Sequence, residues 1–399
     1  MSKIIKIATW NIGQDLKNNE INKDSYEYIK EQIEQNEIDI IAFQEAITES
    51  DNLEALANYI SENTKLKYNE QISLSPSDMN KNDKMGIAIC SKFKISNNEK
   101  YILENQNSFE LKDIFECGQC FRWNEQEDGS YIGVIKNGVI QVKKEKKICK
   151  EKNGAKEINK TKEIITFTGK CDGNLQEIVE KYFDLNRDYE KIKSQLENID
   201  EYLKTSIEYG KGIRILNQDL WETIISFIIS ANNNIPRIKG IIERISQKYG
   251  NEIEWNGKKY YTFPTPEQLK DVTVQEFRNL GLGFRDIRLY ETTQMILNKE
   301  VDLEKLRKNP NTQEVRNELL KLSGVGPKVA DCILLFSDLK RFDVFPIDVW
   351  VRRVMNDLYI KESDESKVSK AKIEKLAEEK FGDLKGLAQQ YLFYWRREA

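Results

Sequence analysis

Three kinds of hydrophobic spacing follow one another along the chain. Over the first 96 residues, compact apolar runs alternate with helical stretches. "IIKIATWNIGQD", "IDIIAFQEA" and "KMGIAICSKFKI" read as strands, whereas a segment around residues 24–36 and "LEALANYISENT" read as helices. Such alternation predicts an α/β segment. From "NSFELKDIFECGQCFRW" onward the period shortens. "GSYIGVIKNGVIQVKKE" and "EIITFTG" alternate as antiparallel strands do, and Asn137-Gly138 is a hairpin signal. After "YFDLNRDYEKIKSQL" the pattern turns helical to the end. "DLWETIISFIISANNN" is a buried-type helix stopping at an Asn run, "TPEQLKDV" and "TVQEFRNLG" are short capped helices, and "VRNELLKLSGVGPKVADCILLFS" is helix, glycine turn, helix. The expected architecture is α+β beyond residue 97, with a partial α/β piece at residues 1–96, an antiparallel sheet domain at 97–185 and a helical domain at 186–399.

Charge changes this picture little. The net charge is -4, and its distribution is uneven. Residues 1–96 hold 11 Lys/Arg against 16 Asp/Glu, which leaves 51 against 50 in the remainder. The acidic total therefore says little about nucleic-acid binding by the larger part. The lysine-rich stretch "KKEKKICKEKNGAKEINKTK" reads as a solvated loop or long hairpin tip rather than a dedicated DNA-binding element.

Composition excludes more. The chain has no histidine, which removes every scheme that needs an imidazole base or ligand. Its six cysteines include one CxxC, Cys117 and Cys120, with no second pair at zinc spacing. Scattered thiols, no signal-type segment and no long apolar run suggest a reducing cytoplasm and no membrane partner.

The chemistry gathers in "LSGVGPKVADC", where Gly324 and Gly326 precede Lys328. A glycine turn opening a helix leaves N–H groups bare for a phosphate. Lys328 is either a counter-charge there or a nucleophile. Asp348, in "FPIDVW", falls 20 residues later at the predicted start of another helix. Its plain reading is an N-cap. A carboxylate so held can also stabilise positive charge developing on a sugar.

"LSGVGPKVADC" and "FPIDVW" resemble the helix-hairpin-helix DNA glycosylases, and more narrowly the 8-oxoguanine DNA glycosylase/lyases. Further landmarks of that resemblance fall in order from about residue 105 to 397: "ECGQCFRW", "FDLNRDY", "IRILNQDLWETIISFIISANNNIPRI", "LGLGFR" and "GLAQQYLF". It implies that Lys328 is the nucleophile and forms an imine with the opened sugar, with Asp348 stabilising the charged sugar. It implies that the Gly118 carbonyl accepts the extra ring hydrogen of 8-oxoguanine, that Gln389 reads the Watson–Crick edge, and that Phe393 and Cys332 sandwich the flipped base. Asn232 would fill the gap in the duplex, Arg237 and Arg285 would hold the opposite cytosine, and Phe284 would intercalate. The implied partner is duplex DNA carrying 8-oxoguanine, with no cofactor. The tail lacks the four-cysteine cluster of the iron–sulfur relatives, so no such cluster is expected. Two residues depart from the pattern: Ser323 replaces a usual proline, and Trp350 stands where some relatives have histidine. The alternatives are a monofunctional alkyl-purine glycosylase, using Asp348 with water, and a silent binder of damaged DNA.

The front segment resembles the opening third of the endonuclease/exonuclease/phosphatase family. Asn11 and Glu45 match its metal and phosphate site, with Glu45 as a Mg²⁺ ligand. That family's later "GDFN"-type strand and catalytic histidine are missing from this chain, so the resemblance implies a truncated remnant without hydrolytic activity.

Overall fold

The computed structural model describes residues 6–11, 16–17, 20–21, 23–48, 51–76, 84–91, 99–153, 156–364 and 367–398. Two compact units divide between residues 97 and 98.

In the first unit, Ile7–Asn11 pairs in parallel with Ile40–Thr48, which pairs antiparallel with Lys84–Ser91, and Lys67–Pro76 lies on the far side of that strand. The helices Lys23–Gln35 and Asp51–Asn63 supply Ile29, Ile33, Leu56 and Ile60 to a core shared with Ile41, Phe43 and Cys90. The hydrophobic pattern anticipates these helices and three of the strands. It misses Lys67–Pro76, whose sequence "KYNEQISLSP" alternates too weakly to stand out.

The second unit, residues 98–399, opens with a five-stranded antiparallel sheet. Its order is Glu99–Glu104, Lys156–Lys170, Gly138–Asn153, Tyr131–Ile135 and Trp123–Glu125. Gly138 pairs with Ile135, so the tight turn is made by Lys136 and Asn137. The hairpin is one residue out of phase with the Asn-Gly signal. Its second turn position falls on Asn137, and Lys136 takes the left-handed conformation at φ 49°. Of the two readings of the lysine-rich stretch, the long hairpin holds: register continues from Val139 opposite Lys170 to Asn153 opposite Lys156. Lys144 supports this ribbon, its Nζ lying 2.8 Å from Glu163 on the paired strand and 2.5 Å from Glu110, the N-cap residue of the helix Leu111–Glu116.

The sheet's core is aromatic. Trp123 is 2% exposed, stacks on Phe115 at 4.3 Å between ring centroids, and donates through Nε1 to the Tyr182 hydroxyl at 3.0 Å. Phe183, Phe109 and Phe167 complete the cluster.

The helical part is built around Leu220–Ser230 and Pro327–Phe336, nearly all of whose side chains are buried. Their neighbours bury only one stripe, so these two helices form the middle of the core. Local chemistry sets the ends. Asp219 caps the first through the Glu222 N–H, and Thr273 and Glu276 make a reciprocal capping box at Val274–Asn279.

The sheet and the helices share residues at their junction. Leu216 packs into the aromatic core, while Cys117 and Phe121 pack into the helical one. Buried Gln119 stitches the seam: its Nε2 donates to the Ile114 and Arg214 carbonyls at 2.8 and 2.7 Å, and its Oε1 accepts from the Leu216 N–H at 2.8 Å. Because Trp123 carries both the stack and a buried hydrogen bond, Trp123→Ala should cost about 3–5 kcal/mol. Urea unfolding of both proteins measures this, and a loss below about 1 kcal/mol would contradict it.

Candidate active site

A cleft of about 350 Å³ brings together residues that lie far apart in sequence. It is lined by Cys117 and Gly118 from the segment between the short helix Leu111–Glu116 and the strand Trp123–Glu125. Phe227, Lys328, Cys332 and Asp348 come from the helical part, and Gln389, Gln390 and Phe393 from the last helix.

The hairpin that presents Lys328 joins Thr312–Leu319 to Pro327–Phe336. Gly324 sits at φ 82°, where a side chain is strained, and a Cβ there would meet Arg288 Cδ at 2.8 Å. Gly326 is the N-cap residue, with open space on its Cβ side, and Pro327 is pre-set for the first helical position. Ser323 does not leave the turn loose. Its hydroxyl reaches Glu291 at 2.5 Å, and its carbonyl accepts from Thr292 Oγ1 at 2.9 Å. The hydroxyl bond is the one that serine adds; the carbonyl bond would be open to a proline as well.

Lys328 is half-buried, with its ammonium nitrogen 5.5 Å from the centroid of the Phe227 ring. One helical turn further on, Cys332 is buried in the same cleft. Burial pushes its thiol up to about 11, against smaller opposing effects of the adjacent lysine, so it stays neutral at pH 7. Asp348 is half-buried and caps Val349–Met355, accepting the Val351 N–H through Oδ1 at 2.7 Å. The plain cap reading therefore holds for one oxygen, and the same residue also lines the cleft beside Lys328.

Opposite them, Gly118 has φ 91° and lies against Phe393 and Arg397. Gln389 is 5% exposed, and its buried Oε1 has no hydrogen-bond partner among the described residues. A buried amide oxygen left unpaired inside a cleft is costly, which fits a group kept for a ligand. Cys117 and Cys120 are buried, and burial pushes the Cys117 thiol up to about 12. They are packed thiols, not ligands.

The duplex-contacting candidates form a second group. Asn232 is exposed and takes the left-handed conformation at φ 51°, and Phe284 is 53% exposed. Arg237 is exposed and donates to the Gly281 carbonyl at 3.2 Å. Arg285 differs from its neighbours. It is 1% exposed, and it donates to the Ala231, Asn232 and Leu282 carbonyls, with its guanidinium 4.3 Å from the Phe284 ring centroid. Its donors support the turn that carries Asn232, and it would have to exchange them to reach a base. For Asn11 and Glu45 the backbone pairing sets Asn11 opposite Gln44, one residue before Glu45. Among the described residues no group of three or more acidic or thiol side chains is arranged to hold a metal.

Residues missed by sequence reasoning are Phe227 beneath the lysine, Gln390, and Arg397, whose guanidinium lies 5.4 Å from the Phe393 ring centroid. Their roles come from contacts across the fold, so no local motif could signal them.

Comparison with known proteins agrees with this geometry. Residues 101–224 match the 8-oxoguanine DNA glycosylase N-terminal domain, and residues 225–381 match the HhH-GPD superfamily of base excision DNA repair proteins. An N-glycosylase/DNA lyase of Saccharomyces cerevisiae is 32% identical over 270 residues, which cover 63% of this chain and 68% of that protein. A Methanothermobacter thermautotrophicus protein named "Probable N-glycosylase/DNA lyase" is 34% identical over 56% of this chain and 76% of its own length. The structure of the Clostridium acetobutylicum 8-oxoguanine glycosylase/lyase, with double-stranded DNA containing cytosine opposite 8-oxoG, is 43% identical. It has a TM-score of 0.66 and covers 77% of this chain and 99% of that one. The chain belongs to the 8-oxoguanine DNA glycosylase/lyase family of the HhH-GPD superfamily, and its fold from residue 98 is the α+β fold of that family.

If Gly324 is chosen for its backbone, Gly324→Ala should destabilise the protein by about 1–3 kcal/mol through the strained φ and the Arg288 clash. Its melting temperature should fall measurably. An unchanged melt would mean that the turn tolerates a side chain.

Proposed function

We infer that this protein is a bifunctional DNA glycosylase and lyase that removes 8-oxoguanine from duplex DNA and cuts the strand at the abasic site formed. The observation that carries this reading is one cleft holding Lys328, Asp348 and a buried, unpartnered Gln389 oxygen. A base inside a duplex cannot reach such a cleft, so the target nucleotide must turn out of the helix.

In the reaction, the free amine of Lys328 forms a bond to C1′ of the damaged nucleotide. The glycosidic bond breaks, and its electron pair leaves with the base, which takes up a proton. Once the nitrogen has given up a proton, its lone pair opens the sugar ring to a protonated imine, and the ring oxygen leaves C1′ and takes up a proton as the 4′ hydroxyl. Loss of a C2′ proton to a base sends electrons toward the imine, and the 3′ phosphate leaves. Asp348 stabilises the positive charge that builds on the sugar and imine. No step calls on a metal or another cofactor.

Base recognition follows from the other wall. The Gly118 carbonyl accepts the ring N–H that 8-oxoguanine has and guanine lacks. Guanine presents a lone pair there and is repelled. Gln389 reads the Watson–Crick edge, while Phe393 and Cys332 offer a π face and a polarizable sulfur. Asn232 and Phe284 enter the duplex, Arg237 contacts the cytosine opposite, and Arg285 acts there chiefly by holding the Asn232 turn. Gly324 and Gly326 take a backbone phosphate on the hairpin's bare N–H groups.

The monofunctional alternative would leave Lys328 without a chemical task, and a silent binder would leave both Lys328 and Asp348 without one. For residues 1–96 we read a truncated endonuclease/exonuclease/phosphatase-like segment. The α/β alternation of this unit, with Ile7–Asn11 parallel to Ile40–Thr48, supports it. Without a histidine in the chain we assign this segment no hydrolysis. No helix among the described residues is long and apolar enough to cross a membrane, and we place the protein in the cytoplasm with the DNA.

Borohydride should trap wild-type protein on an 8-oxoguanine:cytosine duplex, and Lys328→Gln should abolish the adduct and cut excision by about a thousandfold. Base release by wild type without any adduct would favour the monofunctional enzyme. Asp348→Asn separates cap from charge: stability should change by about 1 kcal/mol or less, since Asn also caps. Excision should nonetheless fall by about a hundredfold. A matching collapse of the melting temperature would return Asp348 to a purely structural role.

A further inference from the structure

The specificity assigned to Gly118 depends on where one carbonyl points, and a flexible glycine does not fix that by itself. At φ 91° Gly118 has conformational freedom on both sides of its peptide planes. The segment around it is nevertheless held. The Glu116 carbonyl accepts from Arg397 Nη2, and the Cys117 carbonyl accepts from Gln390 Nε2 at 2.6 Å. Beyond the glycine, the Gln119 carbonyl accepts from Gln218 Nε2 at 2.7 Å, and the same amide donates to the Phe336 carbonyl at 2.9 Å. Of four consecutive carbonyls, three are bound by side chains from distant elements. Among the described residues only that of Gly118 accepts no hydrogen bond.

The two donors on the N-terminal side come from one helix, Lys385–Glu398, which also carries Gln389 and Phe393. Gln390 is 2% exposed, and Arg397 lies over the Phe393 ring at 5.4 Å. The helix that supplies the base-reading amide and aromatic thereby also sets the position of the opposing carbonyl. Gln218 ties the other end of the segment to Phe336, the last residue of the helix that begins at Pro327 and carries Lys328.

We propose that Gln390 and Arg397, with Gln218, are positioning residues for lesion specificity, clamping the peptides around Gly118 so that its carbonyl alone is left to meet the base. This rests on the reading of Gly118 as the discriminating acceptor. A buried neutral hydrogen bond lost from such a clamp is worth about a tenfold effect. The loss should fall on recognition and not on the lysine chemistry, because an abasic site has no base to recognise.

The test uses the full chain with Gln390→Leu and Arg397→Met, each compared with wild type on three duplexes. These carry 8-oxoguanine, guanine or an abasic site opposite cytosine. For each variant, kcat/KM for 8-oxoguanine excision should drop about tenfold. The preference for 8-oxoguanine over guanine should narrow, while abasic-strand cleavage stays within about twofold. Arg397→Lys, which keeps a donor, should recover part of the selectivity. Equal losses on the 8-oxoguanine and abasic duplexes would make the clamp a general fold element and overturn the proposal, as would unchanged selectivity in both variants. Wild type that cleaves abasic DNA yet spares 8-oxoguanine would instead sink the underlying reading of Gly118.

Discussion

Two helix starts hold Lys328 and Asp348, the groups proposed to react, in one cleft. Pro327–Phe336 begins directly after a glycine turn, so Lys328 lies in its first turn at the mouth of the cleft. Val349–Met355 begins under Asp348, whose oxygen is fixed by the Val351 N–H. Helix starts are rigid, rich in N–H donors and electropositive, which suits both an anionic backbone and a carboxylate that must stay in place. The buried helix Leu220–Ser230 supplies Phe227 beneath the amine. Most of the helical core can be understood as the packing that keeps these two starts adjacent.

The sheet part contributes a different kind of constraint. Its aromatic core fixes the short segment 116–119, and Gln119 joins that segment to the Arg214–Leu216 strand of chain crossing from the helical side. The cleft is consequently a seam, lined by Lys328, Cys332 and Asp348 from the helical part and by Cys117 and Gly118 from the segment beside the sheet. Each wall is anchored by buried hydrogen bonds that would be costly to leave half made. Of the buried oxygens that find no partner among the described residues, that of Gln389 lies in the cleft itself.

The duplex-facing turns show the same economy. Asn232 occupies a strained left-handed conformation, and buried Arg285 secures it through backbone carbonyls on either side. Exposed Phe284 sits on that guanidinium. Strain of this sort persists only where surrounding contacts over-determine it. An arginine expected from sequence to hold a base thus has its donors, in this structure, on the turn that carries Asn232.

Local signals carried a good deal of this protein. Period, capping residues and glycine turns located the helices from Leu220 onward, the hairpin before Lys328 and the cap at Asp348, because each depends on neighbours within a few residues. The same signals missed Lys67–Pro76, whose alternation is weak, and left open whether the lysine-rich stretch was a loop or the long hairpin that it forms. Ordered motifs named the reactive pair, yet only the tertiary structure decided which side chains serve them. Gln390, Arg397, Gln218 and Phe227 act on atoms up to 281 residues away in sequence, as the Arg397–Glu116 bond shows. Hydrogen bonds and ring contacts are short-ranged in space and indifferent to sequence distance, so the partners of a site become visible only once the chain has folded.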